Sequence, residues 1–185
     1  MPDDGPRPAV PQLLESRVIH QGRKIAVRLD RVRLPGGGEG TQDVIVHPGA
    51  VAVVPLLADG RVVLIRQWRH AVGQWLLEVP AGTLEPGEEP ADCARRELRE
   101  EAGYEAAEMT PLVTFYTTPG FTDELMYGFV ARDLTPAAGD QDADEVIETA
   151  EVDGAEALAM CLDGRILDGK TLAILLAAQR AGALG

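Results

Sequence analysis

The chain has 185 residues, enough for one domain with a real hydrophobic core, and its 17 Lys and Arg against 30 Asp and Glu give a formal charge of −13. That balance excludes a nucleic-acid backbone binder, which gains affinity from Lys and Arg displacing counterions, and it disfavours docking on an anionic membrane. An apolar fraction of 45% excludes wholesale disorder. No apolar run reaches the roughly 18 residues of a spanning helix. The opening Met1-Pro2-Asp3-Asp4-Gly5 has neither a basic nor an apolar leader region, and Cys93 and Cys161 form no CxxC pair, so reduced thiols and a cytoplasmic location are expected.

Residues 1–15 carry four prolines and read as a poorly ordered lead-in. Residues 16–47 follow as an antiparallel β meander. Ile25, Val27 and Leu29 alternate with polar residues, a phase break near Asp30-Arg31 predicts a bulge, Gly36-Gly37-Gly38 makes a turn, and Asp43–His47 returns as a strand. This meander has few residues able to fill a core alone. The main domain spans 48–182. Residues 50–57 (AVAVVPLL) and 62–68 (VVLIRQW) flank Asp59-Gly60 and predict a hairpin buried on both faces. A strand at 74–79, a Pro/Gly loop from Pro80 and a helix over Pro90–Ala102 come next. Pro90 suits the first helical turn and Gly103 the left-handed stop. Strands are expected at 111–117, 125–132 and 146–152, an acidic loop at 139–145, and helices at 154–163 and 169–181. This order predicts an α/β fold with a mixed sheet between helical layers.

Residues 82–104 read GTLEPGEEPADCARRELREEAGY. At about 100° per residue, Ala91, Ala94, Leu98 and Ala102 form one apolar stripe, and Glu100 and Glu101 flank Glu97 by about 60° and 40°. Three carboxylates therefore share an arc beside the buried stripe. Like charges at this spacing destabilise a helix by roughly 0.2–0.5 kcal/mol per pair, and a hard divalent cation reverses that sign. Arg95, Arg96 and Arg99 interleave with the acids, so a solvated face of ion pairs is the competing reading.

The spacing of Gly82, Glu88, Arg96-Glu97-Leu98, Glu100-Glu101 and Gly103 resembles the Nudix box, departing only at the last position, where Tyr104 replaces an aliphatic residue. The resemblance implies a Nudix fold, an α/β/α sandwich with an N-terminal meander, and a Mg²⁺-dependent hydrolase of nucleoside diphosphates linked to another moiety, with Mn²⁺ as the alternative ion. It implies that Glu97, Glu100 and Glu101, with the Ala81 carbonyl, ligate the metal, and that Glu88 braces Arg96. An acidic protein and an anionic pyrophosphate are compatible through such a cation.

The flanks narrow the resemblance. Arg66-Gln67-Trp68-Arg69, Glu78-Val79-Pro80-Ala81-Gly82 and Thr117–Glu124 look like the corresponding stretches of ADP-ribose pyrophosphatases, and Pro119 stands sixteen residues beyond Gly103. This similarity implies ADP-ribose as substrate, with AMP and ribose 5-phosphate as products. Another nucleoside diphosphate sugar, a dinucleotide or a non-catalytic nucleotide sensor are the alternatives. Arg69 then contacts substrate phosphate, or is a strand-end surface charge; Glu124 helps bind substrate, or is an ordinary loop acid. The catalytic base is expected from the acidic loop, with Glu145 chosen because it sits at the loop–strand junction. Glu145 as a further metal ligand, with Asp142 or Asp144 as base, is the other assignment. The resemblance to ADP-ribose pyrophosphatases also implies that residues 16–47 exchange between the subunits of a homodimer. Trp68 and Trp75 are expected in the core, and His20, His47 and His70 are assigned no chemistry.

Overall fold

A computed structural model describes residues 9–138 and 147–184. The chain divides into two compact units, Met1–His47 with Thr118–Glu124, and Pro48–Thr117 with Leu125–Gly185. The first holds an antiparallel sheet of β1 (Gln12–Gln21), β2 (Ala26–Arg33) and β3 (Glu39–Val46), in that order. Segment 118–124 joins it through Ile45, whose N–H donates to the Phe121 carbonyl at 2.8 Å, and through the His47 N–H, which donates to Asp123 at 2.8 Å. The buried polar centre is Asp30, which accepts from Ser16 Oγ at 2.6 Å and Arg28 Nε at 3.0 Å.

Two expectations change in this unit. β1 begins at Gln12, inside the expected lead-in, because residues 12–21 pair with β2 along the strand, from Gln12 opposite Arg33 to Gln21 opposite Ala26. The irregularities lie in β1, between Leu13 and Glu15 and between Val18 and His20, whereas β2 pairs with β3 without a shift at Asp30-Arg31. The phase break of the apolar pattern is absorbed by β1, leaving Leu13, Val18 and Ile19 exposed.

The second unit carries β4 (Ala50–Pro55), β5 (Arg61–Arg69), β6 (Gln74–Glu78), β7 (Ala81–Thr83), α1 (Pro90–Ala102), β8 (Tyr104–Tyr116), β9 (Leu125–Pro136), β10 (Ile147–Asp153), α2 (Gly154–Asp163) and α3 (Gly169–Arg180). One sheet runs β7-β4-β9-β8 and the other β10-β5-β6, with β4 and β9 parallel and every other pair antiparallel. The first sheet is therefore mixed, as the sequence predicts, and the second is antiparallel. The expected hairpin does not form: β4 and β5 meet only at an isolated Leu56–Val62 bridge and go to different sheets. Both runs are apolar on both faces, so each is better buried in the middle of its own sheet than in a two-stranded ribbon. β8 also starts earlier than expected, directly after Gly103, because pairing with β9 runs from Tyr104 to Tyr116 with one register shift between Pro111 and Val113.

Side-chain alternation on β4 shows where the core lies. Val51 and Val53 pack with Val63, Phe129 and the α1 residues Cys93, Ala94, Leu98 and Ala102. Ala50, Ala52 and Val54 pack with Leu64, Val130 and the helix residues Ala157, Leu158, Ile174 and Leu175. Helices thus cover both faces, giving the α/β/α arrangement; each large aliphatic side chain so buried contributes roughly 1.5–3 kcal/mol. Among the described residues no helix is long and apolar enough to cross a membrane.

Candidate active site

Three local decisions hold α1 in place. Pro90 occupies the first turn, Gly103 adopts φ 72° and returns its N–H to the carbonyls of Arg99 and Leu98, and the apolar stripe docks on β4. The stripe is shifted from expectation: Ala91 is exposed in the first turn and Cys93 is buried in its stead. Burial pushes the Cys93 thiol up, keeping it protonated and unreactive.

The carboxylate arc sits deeper than a solvated helix face would. Glu97 and Glu101 are buried, at 8% and 3% exposure. A buried carboxylate is costly unless compensated, and each has a partner. Arg96 Nη1 donates to Glu97 Oε1 at 2.6 Å and to Glu100 Oε2 at 3.1 Å, while its Nε and Nη2 hold the two oxygens of Glu88 at 2.9 and 3.0 Å. The Glu88–Arg96 contact is bidentate, and it holds the Glu88 carboxyl down at about 2 while raising the Arg96 guanidinium further above its ordinary value. Glu88 also accepts from the Glu85 N–H at 2.9 Å, fixing the turn that leads into α1.

Glu101 Oε2 accepts the Ala81 N–H at 2.7 Å. The Glu97 carboxylate lies over Gly82 in space that a Cβ would fill. The strand β7 is thereby drawn against α1 by the acids themselves, and glycine is required at 82 because backbone and carboxylate approach so closely. Glu97, Glu100, Glu101 and Ala81 are thus gathered on one side of α1, with Ala81 engaged through its N–H. Among the described residues no three Asp, Glu, His or Cys side chains converge closely enough to hold an ion together as they stand, because Arg96 lies between Glu97 and Glu100. The donor set nonetheless fits a hard divalent cation: it is all oxygen, anionic and fixed on a rigid helix, without an imidazole ligand.

Arg69 is built into a second cluster. Its Nε and Nη2 donate to Glu78 Oε1 and Oε2 at 2.7 and 2.6 Å, and Glu78 is fully buried. Lys170 Nζ also donates to Glu78 Oε2, and lies 3.0 Å from Asp168. Burial alone would raise the Glu78 carboxyl, but the two cations outweigh it and hold it below the usual carboxylate range. Thr171 Oγ1 donates to Asp168 at 2.6 Å and accepts the Val79 N–H at 3.0 Å, closing the cluster onto the residue after Glu78.

Sequence reasoning missed Glu78, Asp168, Lys170 and Thr171 as site-forming residues. A lone acid ending the apolar run QWLLEV was the available signal, since a buried charge must find a partner. Gln67 is buried on β5, and its Oε1 has no hydrogen-bond partner among the described residues. Trp68 and Trp75, expected in the core, are instead about half exposed and stack edge to face at 5.9 Å across β5 and β6. They alternate away from Ile65 and Gln67 on the outward face of the pair. Glu124 belongs to the first unit, where its carboxylate stands 3.7 Å from His47 Nε2. Glu145, with Asp142 and Asp144, lies outside the described residues.

The comparisons agree with this architecture. The NUDIX domain family matches residues 46–173. The chain is 39% identical over 162 residues, covering 86% of it and 87% of the relative, to the methanol dehydrogenase activator of Bacillus methanolicus. It is 38% identical over 155 residues, 83% of it and 84% of the relative, to the ADP-ribose pyrophosphatase of Bacillus subtilis (strain 168). The crystal structure of an ADP compounds hydrolase matches the fold with a TM-score of 0.85, at 23% identity and 96% coverage of both chains. The box on α1, the α/β/α layers and the family match define a hydrolase of the Nudix class. The chain belongs to the NUDIX domain family.

Proposed function

We propose that this hydrolase cleaves the diphosphate of ADP-ribose with Mg²⁺, releasing AMP and ribose 5-phosphate. Water adds to one phosphorus, the bridging P–O bond breaks, and the bridging oxygen leaves with the other phosphate, so one water is consumed per bond. The observation that carries the reading is the fixed arc of Glu97, Glu100 and Glu101, braced by Glu88 and Arg96 and tied to Ala81-Gly82. The ADP-ribose pyrophosphatase relative supports the substrate class.

On this reading Glu97, Glu100, Glu101 and Ala81 would hold Mg²⁺, which, when bound, supplies positive charge against the diphosphate oxygens. Arg69 presents the exposed edge of its guanidinium to a phosphate, a geometry suited to planar hydrogen bonding. Glu124 contributes to substrate binding, and Glu145 takes the proton of the attacking water. The domain reading keeps 48–182 as the hydrolase domain and the meander through residue 47 as the dimerisation element, its first strand beginning at Gln12, inside the 1–15 expected as lead-in. The exposed Leu13, Val18 and Ile19 of β1 support burial of that strand against a second copy, and sedimentation at micromolar concentration is expected to return the mass of a dimer.

The test is a substrate panel with Mg²⁺, comparing ADP-ribose with other nucleoside diphosphate sugars, NADH and dinucleoside polyphosphates, with AMP as the readout. ADP-ribose is expected to give the highest kcat/KM. Tight binding of ADP-ribose without AMP release would replace the enzyme reading with a nucleotide sensor.

A further inference from the structure

The cluster at the end of β6 places two cations on one buried carboxylate, and only one of them reaches the surface. Arg69 engages Glu78 through Nε and Nη2, which leaves Nη1 without an acceptor among the described residues, and its side chain is 37% exposed. Lys170 is 13% exposed and is spent entirely on Glu78 and Asp168. Within these four side chains the charges balance. Deleting Lys170 would leave a net negative cluster around the guanidinium, with Glu101 acting on Arg69 as well. A diphosphate approaching Arg69 would then meet a field of its own sign.

We infer that Lys170 is a positioning residue of the substrate site: by sharing Glu78 with Arg69, it fixes that carboxylate and keeps the outer edge of Arg69 available to a substrate phosphate. Lys170 acts through Glu78 and does not touch the substrate. Its backbone is set by Asp168, which caps α3 by accepting the Thr171 N–H at 2.9 Å, so the lysine leaves the first turn of α3 at a fixed height beside β6. The inference rests on the reading of Arg69 as a phosphate contact.

A charge-count series separates this role from a merely structural one. With the full chain, Mg²⁺ and ADP-ribose, Lys170→Met is expected to raise KM about tenfold, the effect of one uncompensated charge at short range, while kcat falls no more than about twofold. Lys170→Arg should restore KM. The double variant Glu78→Gln with Lys170→Met removes one charge of each sign, so its KM should return toward wild type although two buried contacts are lost. A structural brace predicts the opposite, with the double variant the worst of the set. If Lys170→Met fails to fold, the double variant carries the test: a KM as high as that of Arg69→Met overturns the inference. A wild-type KM in Arg69→Met removes the reading on which it rests, whereas a raised KM there with a wild-type KM in Lys170→Met overturns the Lys170 role alone. Should the wild-type chain not turn over ADP-ribose, calorimetric affinity for ADP is expected to follow the same order, and equal affinity across the series overturns it.

Discussion

Replacing Gly82 by Ala adds one methyl group where the Glu97 carboxylate already lies, overlapping its Cδ and both oxygens. The backbone at 82 is not in the left-handed region, so alanine is tolerated there conformationally and the whole effect falls on Glu97. That side chain must swing away from Arg96 Nη1, giving up a charge-assisted hydrogen bond at 2.6 Å. Such bonds contribute roughly 1.5–3 kcal/mol, and Arg96 keeps Glu88 and Glu100, so a loss near 2 kcal/mol is expected. For a chain of this length that lowers Tm by about 4–8 °C. Displacing a proposed metal ligand by the width of a methyl group is expected to cost on the order of 100-fold in turnover. Scanning calorimetry reads the first effect and a Mg²⁺ titration of ADP-ribose hydrolysis the second. The cycle with Glu97→Ala supplies the control: once the carboxylate is gone, Gly82→Ala should cost little more. Full additivity of the two changes, or a Gly82→Ala protein with wild-type Tm and rate, would refute the reasoning.

Three further outcomes are expected. Glu101→Gln should remove most turnover with an unchanged circular dichroism spectrum, and a near-wild-type rate would remove Glu101 from the ligand set. Glu145→Gln should slow hydrolysis with Mg²⁺ affinity retained; a collapse of affinity would instead make Glu145 a ligand and move the base to Asp142 or Asp144. The Glu88 carboxyl is depressed in the fold from 4.5 to about 2, so its stabilisation is present above pH 4.5 and lost as pH falls toward 2. Urea titrations should therefore find Glu88→Gln less stable than wild type at pH 7, with the gap closing between about pH 5 and 2, and a gap independent of pH would show that Glu88 stabilises by packing alone.

The parts of this protein legible in its sequence are those fixed by local chemistry. The bounds of α1 follow from Pro90, a 3.6-residue apolar stripe and Gly103, and the bracing of Arg96 by Glu88 is what the resemblance to the Nudix box implies. What escaped depends on pairing across the chain. The runs at 50–57 and 62–68 specify burial but not a partner, so nothing local sends β4 to β9 and β5 to β10. The Glu78 cluster joins residues 92 apart, and neither Lys170 nor Thr171 carries any mark of it in its own neighbourhood. The aromatic pair misled for a related reason: Trp68 and Trp75 are large and apolar, but strand alternation placed them on the outward face.

The two polar clusters of the hydrolase unit explain how so acidic a chain can be suited to an anionic substrate. Around α1, three carboxylates, Glu88, Glu97 and Glu100, share one fully engaged guanidinium, Glu101 is held by the Ala81 N–H, and Arg99 approaches Glu100 only at 3.8 Å from an exposed position. The arc thus keeps an excess of negative charge on a rigid element, enough compensated to fold and not enough to be satisfied, which is the condition for attracting a hard cation. At the end of β6 the opposite balance holds: Glu78 and Asp168 are matched by Arg69 and Lys170, leaving a guanidinium edge in solvent. Glu78 and Ala81 are three residues apart in the chain, so the segment that anchors the cationic edge continues directly into the backbone that Glu101 grips. On the proposed function, separating the two signs along one short stretch of backbone would let a single diphosphate be met by a positive side chain and by a cation-seeking helix. Contacts with these two clusters act at short range, whereas the exposed charges that make up most of the overall −13 are screened by salt.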